Sequence, residues 1–152
     1  MNQRFNLLLL PVIALLITAC RKDEIHGSGI TTTEYRNVSS FTEVRIDGPI
    51  QAHIRYSPVQ QVAVRTASNV QPLVRTYVTG NTLVLTLAQE NYGDGLRFEV
   101  TVDMPLIRRV THNGVIEASV TGFFGLTDLA VINNGVAEIT LHGTVGNLQV
   151  TQ

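Results

Sequence analysis

The 152-residue sequence contains no tryptophan, one cysteine and one lysine, and its basic residues form no cluster. A single thiol cannot form an intramolecular disulfide, so an exported domain of this chain must be stabilised by burial and backbone pairing alone. Nucleic-acid binding requires a positively charged face that neutralises phosphates, whereas the formal net charge here is -1. Composition therefore excludes a disulfide-rich scaffold and predicts no nucleic-acid partner.

Long hydrophobic runs are also scarce, and the main one ends at the only cysteine. Arg4 precedes an apolar run over residues 7–18, and the small residue Ala19 then comes directly before Cys20. The run is shorter than the ~20 residues of a membrane-spanning helix, and Pro11 interrupts it. This order of charged, apolar and small residues is typical of a secretory signal peptide. A free buried thiol and an uncleaved membrane helix are the alternatives.

The segment Ile17-Thr18-Ala19-Cys20 resembles the lipobox of bacterial lipoproteins. The resemblance implies cleavage after residue 19, a diacylglycerol thioether on Cys20 and an N-acyl group on the new first residue. Stable anchoring needs at least two acyl chains, and these modifications supply them. We therefore predict a signal peptide over residues 1–19 and a lipidated Cys20 that attaches the protein to a membrane.

A predicted export signal, Lys22-Asp23-Glu24, lies in a polar tether over residues 20–29. A lysine followed by acidic residues resembles the surface-export signal of lipoproteins in Bacteroidota, and the absence of Asp directly after the cysteine fits outer-membrane retention. Mixed charge beside glycine and serine is also typical of an ordinary flexible linker, so the spacer alternative stays open. We expect a lipid-anchored outer-membrane protein, displayed on the cell surface if the signal is read.

Residues 30–152 show apolar and polar residues in alternation, as where Val44 and Ile46 flank Arg45. Period two over many segments rich in Val, Ile and Thr predicts half-buried β-strands. Turn residues such as Asp47-Gly48-Pro49 separate the segments. The nearest helix candidate, 71–78, is short. The pattern predicts one all-β domain.

The C-terminal third contains an internal repeat, in which Asn113-Gly114-Val115 returns 21 residues later as Asn134-Gly135-Val136. A period near twenty with short strands is typical of a solenoid, whose successive turns stack and share a core. We predict that these Asn-Gly pairs form equivalent corners, with both glycines in conformations that a Cβ disfavours and the asparagine amides bonded between turns. Two independent hairpins are the alternative.

The segment Leu148-Gln149-Val150-Thr151-Gln152 resembles the lead-in to the Asn134 corner, without the corner that should follow. An uncovered last turn exposes apolar surface and an unpaired strand edge. We expect either a partner on this edge or a natural protein with further turns, and we favour the second. The edge also predicts self-association of the chain.

Two segments, Gly27-Ser28-Gly29-Ile30 and Arg36-Asn37-Val38-Ser39-Ser40-Phe41-Thr42-Glu43-Val44, together with the Asn-Gly corners, resemble the head GIN domain family of auto-transporter adhesins. The second segment is similar to an opening R-x-V-x-x-F strand of that family, and the resemblance extends over residues 28–152. It implies a right-handed parallel β-helix, here truncated at its C-terminal end, and an adhesin role in exported lipoproteins of Bacteroidota.

Catalytic and metal-binding patterns are sparse in this sequence. The aspartates are scattered over different elements, whereas calcium needs six to eight converging oxygens. Glu117 and Glu138 could stack as a glycosidase-like carboxylate pair, although outward polar residues at equivalent positions are expected in any solenoid. The histidines lack metal-ligand spacing and are expected to be exposed: His26, His53, His112 and His142. We predict no catalytic residues, metal or cofactor.

These observations favour a non-catalytic envelope lipoprotein that binds a glycan or a matrix or surface protein. A carbohydrate-active β-helix enzyme, with its site in further C-terminal turns, is one alternative. An envelope scaffold subunit that acts through its open strand edge is the other.

Overall fold

The computed structural model describes residues 24–88, 91–115, 117–136 and 138–152. These residues form one all-β domain with a short 3-10 helix, Ser68–Leu73. The ten strands are β1 (Thr31–Arg36), β2 (Glu43–Asp47), β3 (Gln51–Tyr56), β4 (Gln61–Ala67), β5 (Val74–Thr79), β6 (Thr82–Leu87), β7 (Glu99–Met104), β8 (Arg109–Asn113), β9 (Ala118–Asn133) and β10 (Ile139–Thr151).

Period-two alternation determines which side chains reach the core. In β2, Val44 and Ile46 are buried whereas Arg45 between them is exposed. The same alternation buries Val100 and Val102 in β7. The strands predicted from the sequence are therefore confirmed as the main elements of the fold.

The strands form one sheet in the order β1-β4-β7-β3-β9-β8-β2-β6-β5, and β10 also pairs with β9. Parallel pairs connect β2 with β6 and β8, β3 with β7 and β9, and β9 with β8 and β10. The other pairs, β1–β4, β4–β7 and β5–β6, are antiparallel. The long strand β9 connects the two halves of the sheet, because its first residues pair with β3 and its last residues with β8.

Parallel stacking of the C-terminal repeat is confirmed by its register. Ile139 of β10 lies beside Ala118 of β9, and Ala130 of β9 lies beside Arg109 of β8, which is an offset of 21 in both cases. The pairs β2–β8 and β3–β9 have a second register offset, 66 residues, so that Asn113 lies beside Asp47. The alternative of two independent antiparallel hairpins is thereby excluded for this repeat.

Both halves of the sheet contribute to one hydrophobic core. Its largest fully buried side chains include Ile46, Ile54, Leu85 and Phe123, and each such side chain contributes about 2 kcal/mol by burial. Along β10 burial decreases, because within the described residues this strand pairs only with β9.

Two local differences from the sequence prediction concern residues outside the strands. The segment 71–78 is divided between the 3-10 helix and β5 rather than forming an α-helix. The part of the expected tether after Glu24 lies against the domain: Ile25 bridges to Tyr92, and the Ser28 amide donates to Asn69 Oδ1 over 2.8 Å. In the described part of the chain, no helix has the length and hydropathy needed to cross a membrane.

Candidate functional site

The predicted corner residues Asn113 and Asn134 are brought together by the parallel stacking. Nδ2 of Asn134 donates to Oδ1 of Asn113 over 2.8 Å, and Nδ2 of Asn113 donates to Oδ1 of Asp47 over 2.6 Å. The backbones stack in the same way, since the backbone N–H of Asn134 donates a hydrogen bond to the carbonyl oxygen of His112. Three successive corners are thus connected by exposed side-chain hydrogen bonds.

Gly114 and Gly135 lie in this column, but the expected reason for glycine there is wrong. Positive φ angles occur at other glycines, including Gly48 with φ 101°, and at neither of these two. A Cβ on Gly114 would instead overlap the carbonyl oxygen of Gly48, and a Cβ on Gly135 would overlap that of Gly114. Glycine is required because the backbones of neighbouring chain segments approach closely, not because the position needs a left-handed conformation.

His112 was expected to be exposed, and the structure shows that this is wrong. It faces the core with no exposed surface, since alternation along β8 turns Val110 and His112 inward. Its Nδ1 lies 3.3 Å from Oδ1 of Asn133, whereas Nε2 has no hydrogen-bond partner among the described residues. Oδ1 of Asn133 also accepts a hydrogen bond from the backbone N–H of Gly135. This bond connects the buried pair His112–Asn133 to the corner at Asn134 and Gly135.

The other histidines and the carboxylate pair lie on the surface. His26 and His142 are exposed, and half-buried His53 has Nδ1 3.0 Å from Oγ of Ser119. Glu117 and Glu138 are both exposed. The described residues contain no group of three or more His, Cys, Asp or Glu placed to hold a metal ion.

The predicted lipidation and export residues lie mostly outside the described residues. The residues outside the described part of the chain are Cys20, Lys22 and Asp23, whereas Glu24 is described and exposed. Ile25 follows at once and pairs with the domain. Within the described residues, contact with the domain therefore begins directly after the predicted export signal.

One outer face of the sheet carries ion pairs in register. Arg55 of β3 donates twice to the carboxylate of Asp103 on β7, over 2.8 and 2.9 Å, and this bonding raises the pKa of Arg55. Arg65 of β4 pairs with Glu99 of β7 at 3.0 Å. These pairs form a polar surface on which charged side chains of neighbouring strands contact each other.

Another outer face, on β5, β6, β2 and β8, contains a groove that the sequence patterns did not indicate. We call it the Tyr77 groove; its volume is about 360 Å³ and its principal lining residues are Glu43, Arg45, Tyr77, Val84, Arg109 and Thr111. The register places Tyr77 beside Val84, Val84 beside Arg45 and Arg45 beside Thr111, so these residues form one row across four strands.

A second row of the Tyr77 groove holds two further charged residues, Glu43 and Arg109. Oε2 of Glu43 accepts a hydrogen bond from Oγ1 of Thr82 over 2.9 Å and one from Nη1 of Arg109 over 3.3 Å. Glu43 and Arg109 each lie four residues before a corner residue, Asp47 and Asn113. An alignment of these two corners in the sequence places Glu43 beside Arg109. The sequence therefore contains the information needed to predict this ion pair.

The comparisons with known proteins concern most of the chain. The sequence profile of a family described as "Putative auto-transporter adhesin, head GIN domain" matches residues 40–152. A search of the curated proteins found no significant match.

Solved structures show a similar fold. A "putative adhesin" from Bacteroides fragilis superposes with a TM-score of 0.72 at 18% identity, over 83% of this chain and 60% of that one. A "putative lipid binding protein" from Parabacteroides distasonis gives 0.61 at 12%, over 84% and 63%. A "putative adhesin" from Parabacteroides merdae gives 0.59 at 16%, over 84% and 61%. The chain thus spans about three-fifths of the length of these proteins, and at such identities the likeness concerns the fold alone.

Proposed function

Because this chain belongs to the head GIN domain family of auto-transporter adhesins, we propose that it is a non-catalytic binding module that acts as an adhesin at the cell envelope. The resemblance noted in the sequence is confirmed over residues 40–152. The observation that carries the proposal is the pair of outer faces, on which stacked strands hold polar side chains in fixed rows. A rigid and polar surface of this kind suits recognition of an external partner.

The frame that displays these faces is, in our proposal, a right-handed β-solenoid. Its supporting observations are the parallel registers and the column of corners from Asp47 through Asn113 to Asn134. The register offset is 66 between β2 and β8, and between β9 and β10 it is 21 at first and 19 from Val145 onward. In a solenoid each turn contacts only its neighbours, so outward side chains at equivalent positions form ladders along the stack. Such ladders offer a binding surface that extends with the number of turns.

Membrane attachment through a lipid on Cys20 is the second part of the proposal. The described part of the chain already pairs with the domain at Ile25, so at most residues 21–24 would separate the lipid from the domain. Four residues span at most ~14 Å, which would hold the domain close to the outer-membrane surface. Lys22, Asp23 and Glu24 would act within this short connection as the export signal.

Cell adhesion tests the proposal directly. We expect host cells that export the full chain to bind immobilised glycans or matrix proteins, and Cys20→Ser cells to lose both this adhesion and labelling by a palmitate analogue, because serine cannot form the thioether. Equal lipid label on the serine variant would contradict the anchor. Release of reducing sugar from a bound glycan would contradict the non-catalytic assignment.

The export signal has its own test. Replacing Lys22, Asp23 and Glu24 with alanine should move the protein from the cell surface to the inner leaflet of the outer membrane. Protease treatment of whole cells measures this change, because only surface-displayed protein is cleaved. Unchanged cleavage would reduce the segment to a spacer.

A scaffold role through self-association is the second candidate, and β10 favours it. Leu148 and Val150 are 43% and 58% exposed, on a strand that in the described structure pairs only with β9. An exposed apolar edge strand is a template for pairing with another chain. We expect concentration-dependent dimers in light scattering and their loss in Val150→Lys; a monodisperse monomer at high concentration would rule this role out.

A further inference from the structure

We propose that the Tyr77 groove is a binding site for a neutral glycan. The inference rests on the adhesin function proposed above and names the class of ligand that one outer face would bind. It depends on two features of the groove: an exposed aromatic wall and a charged pair that is already hydrogen-bonded.

The aromatic wall is the ring of Tyr77, which lies beside the covered side chain of Val84. Tyr77 is 44% exposed on β5, and Val84 on β6 is only 3% exposed although alternation with Leu83 and Leu85 turns it outward. Its neighbours in the row, Tyr77 and Arg45, therefore cover it. A sugar ring presents a face of C–H groups, and an exposed tyrosine ring offers the large, flat partner that such a face requires.

The distance across the groove matches the size of a single sugar ring. Tyr77 and Arg45 lie two strands apart, which corresponds to ~10 Å between their backbones. A flat ring can lie against the exposed tyrosine ring, outside the covered Val84.

The charged residues are fixed before any ligand arrives. Glu43 is bonded to Thr82 and Arg109, and Arg45 is bonded to Asp47 over 2.9 Å. A partner that binds here therefore meets side chains whose conformational entropy is already reduced, which lowers the cost of association.

The same pairing identifies a neutral ligand rather than an acidic one. The Arg109 side chain is 50% exposed and has further N–H donors besides the one that contacts Glu43. A sugar hydroxyl both donates and accepts, so it can donate to the Glu43 carboxylate while it accepts from the guanidinium. A carboxylate or sulfate on the ligand would be attracted by Arg109 but repelled by Glu43 beside it.

A larger groove elsewhere on the molecule lacks these features. It has about 500 Å³ and is lined by charged residues, glycines, threonines, Ala67 and Leu96, without an aromatic side chain. Among its charged residues are Arg65, Asp94 and Arg97. The Tyr77 groove is therefore the better candidate for stacking a sugar.

The test uses the full chain, purified in detergent, on an array of neutral oligosaccharides (cellohexaose, laminarihexaose, mannohexaose, xylohexaose and maltohexaose) with hexagalacturonate as the acidic comparator. We expect binding to at least one neutral probe and weaker binding to the acidic one. Tyr77→Ala should reduce the affinity about tenfold, Tyr77→Phe should retain it because the ring remains, and Glu43→Gln should reduce it by several-fold.

Matched controls lie on β1, at the far end of the sheet order. Tyr35→Ala and Glu34→Gln remove an exposed tyrosine and a paired glutamate without touching the groove, so they should leave binding unchanged. Equal effects of Tyr77→Ala and Tyr35→Ala, a preference for hexagalacturonate, or no binding to any neutral probe would each overturn the inference. If cells that display the protein still adhere to matrix proteins when all glycans fail, the adhesin function survives and only this site is refuted.

Discussion

The parallel turns and the antiparallel cap of this domain are stabilised by different kinds of contact. We use cap for β1, β4, β5 and the 3-10 helix, and turns for β2, β3, β8, β9 and β10. In the turns, the critical contacts are between backbones, at Gly114 and Gly135. In the cap, a buried side chain, Gln71, connects strands that have no common repeat.

The hydrogen bonds of Gln71 show how the cap is assembled. Its Nε2 donates to the carbonyl oxygens of Thr32 on β1 and Val64 on β4, over 2.9 and 3.0 Å. Its Oε1 accepts from Nη2 of Arg36 over 3.0 Å. One side chain with only 1% exposure thus satisfies groups from two strands. The comparison indicates that the parallel turns depend on glycine, the smallest residue. The cap depends instead on one buried polar side chain, Gln71.

The largest expected effect is therefore in the turns. Gly135→Ala adds only a Cβ, but that atom would overlap the carbonyl oxygen of Gly114, and backbone cannot move aside as a side chain can. We expect a loss of more than about 2 kcal/mol in the free energy of unfolding, measured by urea denaturation. Val136→Ala, at an 88% exposed neighbouring position, is the control and should change it by less than about 0.5 kcal/mol. Equal stability of the two variants would show that the turns can separate at the corner.

A somewhat smaller effect is expected in the cap. Gln71→Leu keeps the volume but removes the side-chain donor to the carbonyl oxygens of Thr32 and Val64, and it removes one of the acceptors of Arg36. These losses should cost about 2 kcal/mol. Gln61→Leu on β4 is the matched control, because Gln61 is exposed. Denaturation of both variants measures the difference; a Gln71→Leu protein as stable as the control would mean that the cap is held by apolar burial alone.

Much of this fold could be predicted because its strands obey a simple period. The alternation of Val44, Arg45 and Ile46 is a local signal, and the 21-residue repeat carries the parallel register in the sequence itself. The antiparallel strands of the cap carry no repeat, so their order depends on long-range contacts such as those of Gln71.

The errors in the site prediction have equally physical causes. His112 was read as an exposed polar residue, yet its position in the alternation of β8 turns it into the core beside Asn133. The Asn-Gly pairs indicated the corners, but the overlaps that exclude a Cβ are between residues 21 apart at Gly135 and 66 apart at Gly114, which no local preference reports. The Tyr77 groove combines β5 with β2 and β8, and only the register of the whole sheet brings these strands together.

The smallest effect concerns the side-chain ladder of the corners, and it separates the contribution of the amides from that of the glycines. The bonds from Asn134 to Asn113 and from Asn113 to Asp47 are exposed, so each should contribute only about 0.5–1 kcal/mol. Asn134→Ala should therefore cost much less than Gly135→Ala, although the two residues are adjacent. A double-mutant cycle of Asn113→Ala and Asn134→Ala, followed by urea denaturation, should give a coupling energy of about 0.5 kcal/mol, because either single change already removes their shared bond. Strict additivity of the two changes would show that the amides do not cooperate, and the stacking of the turns would then depend on backbone approach and core burial alone.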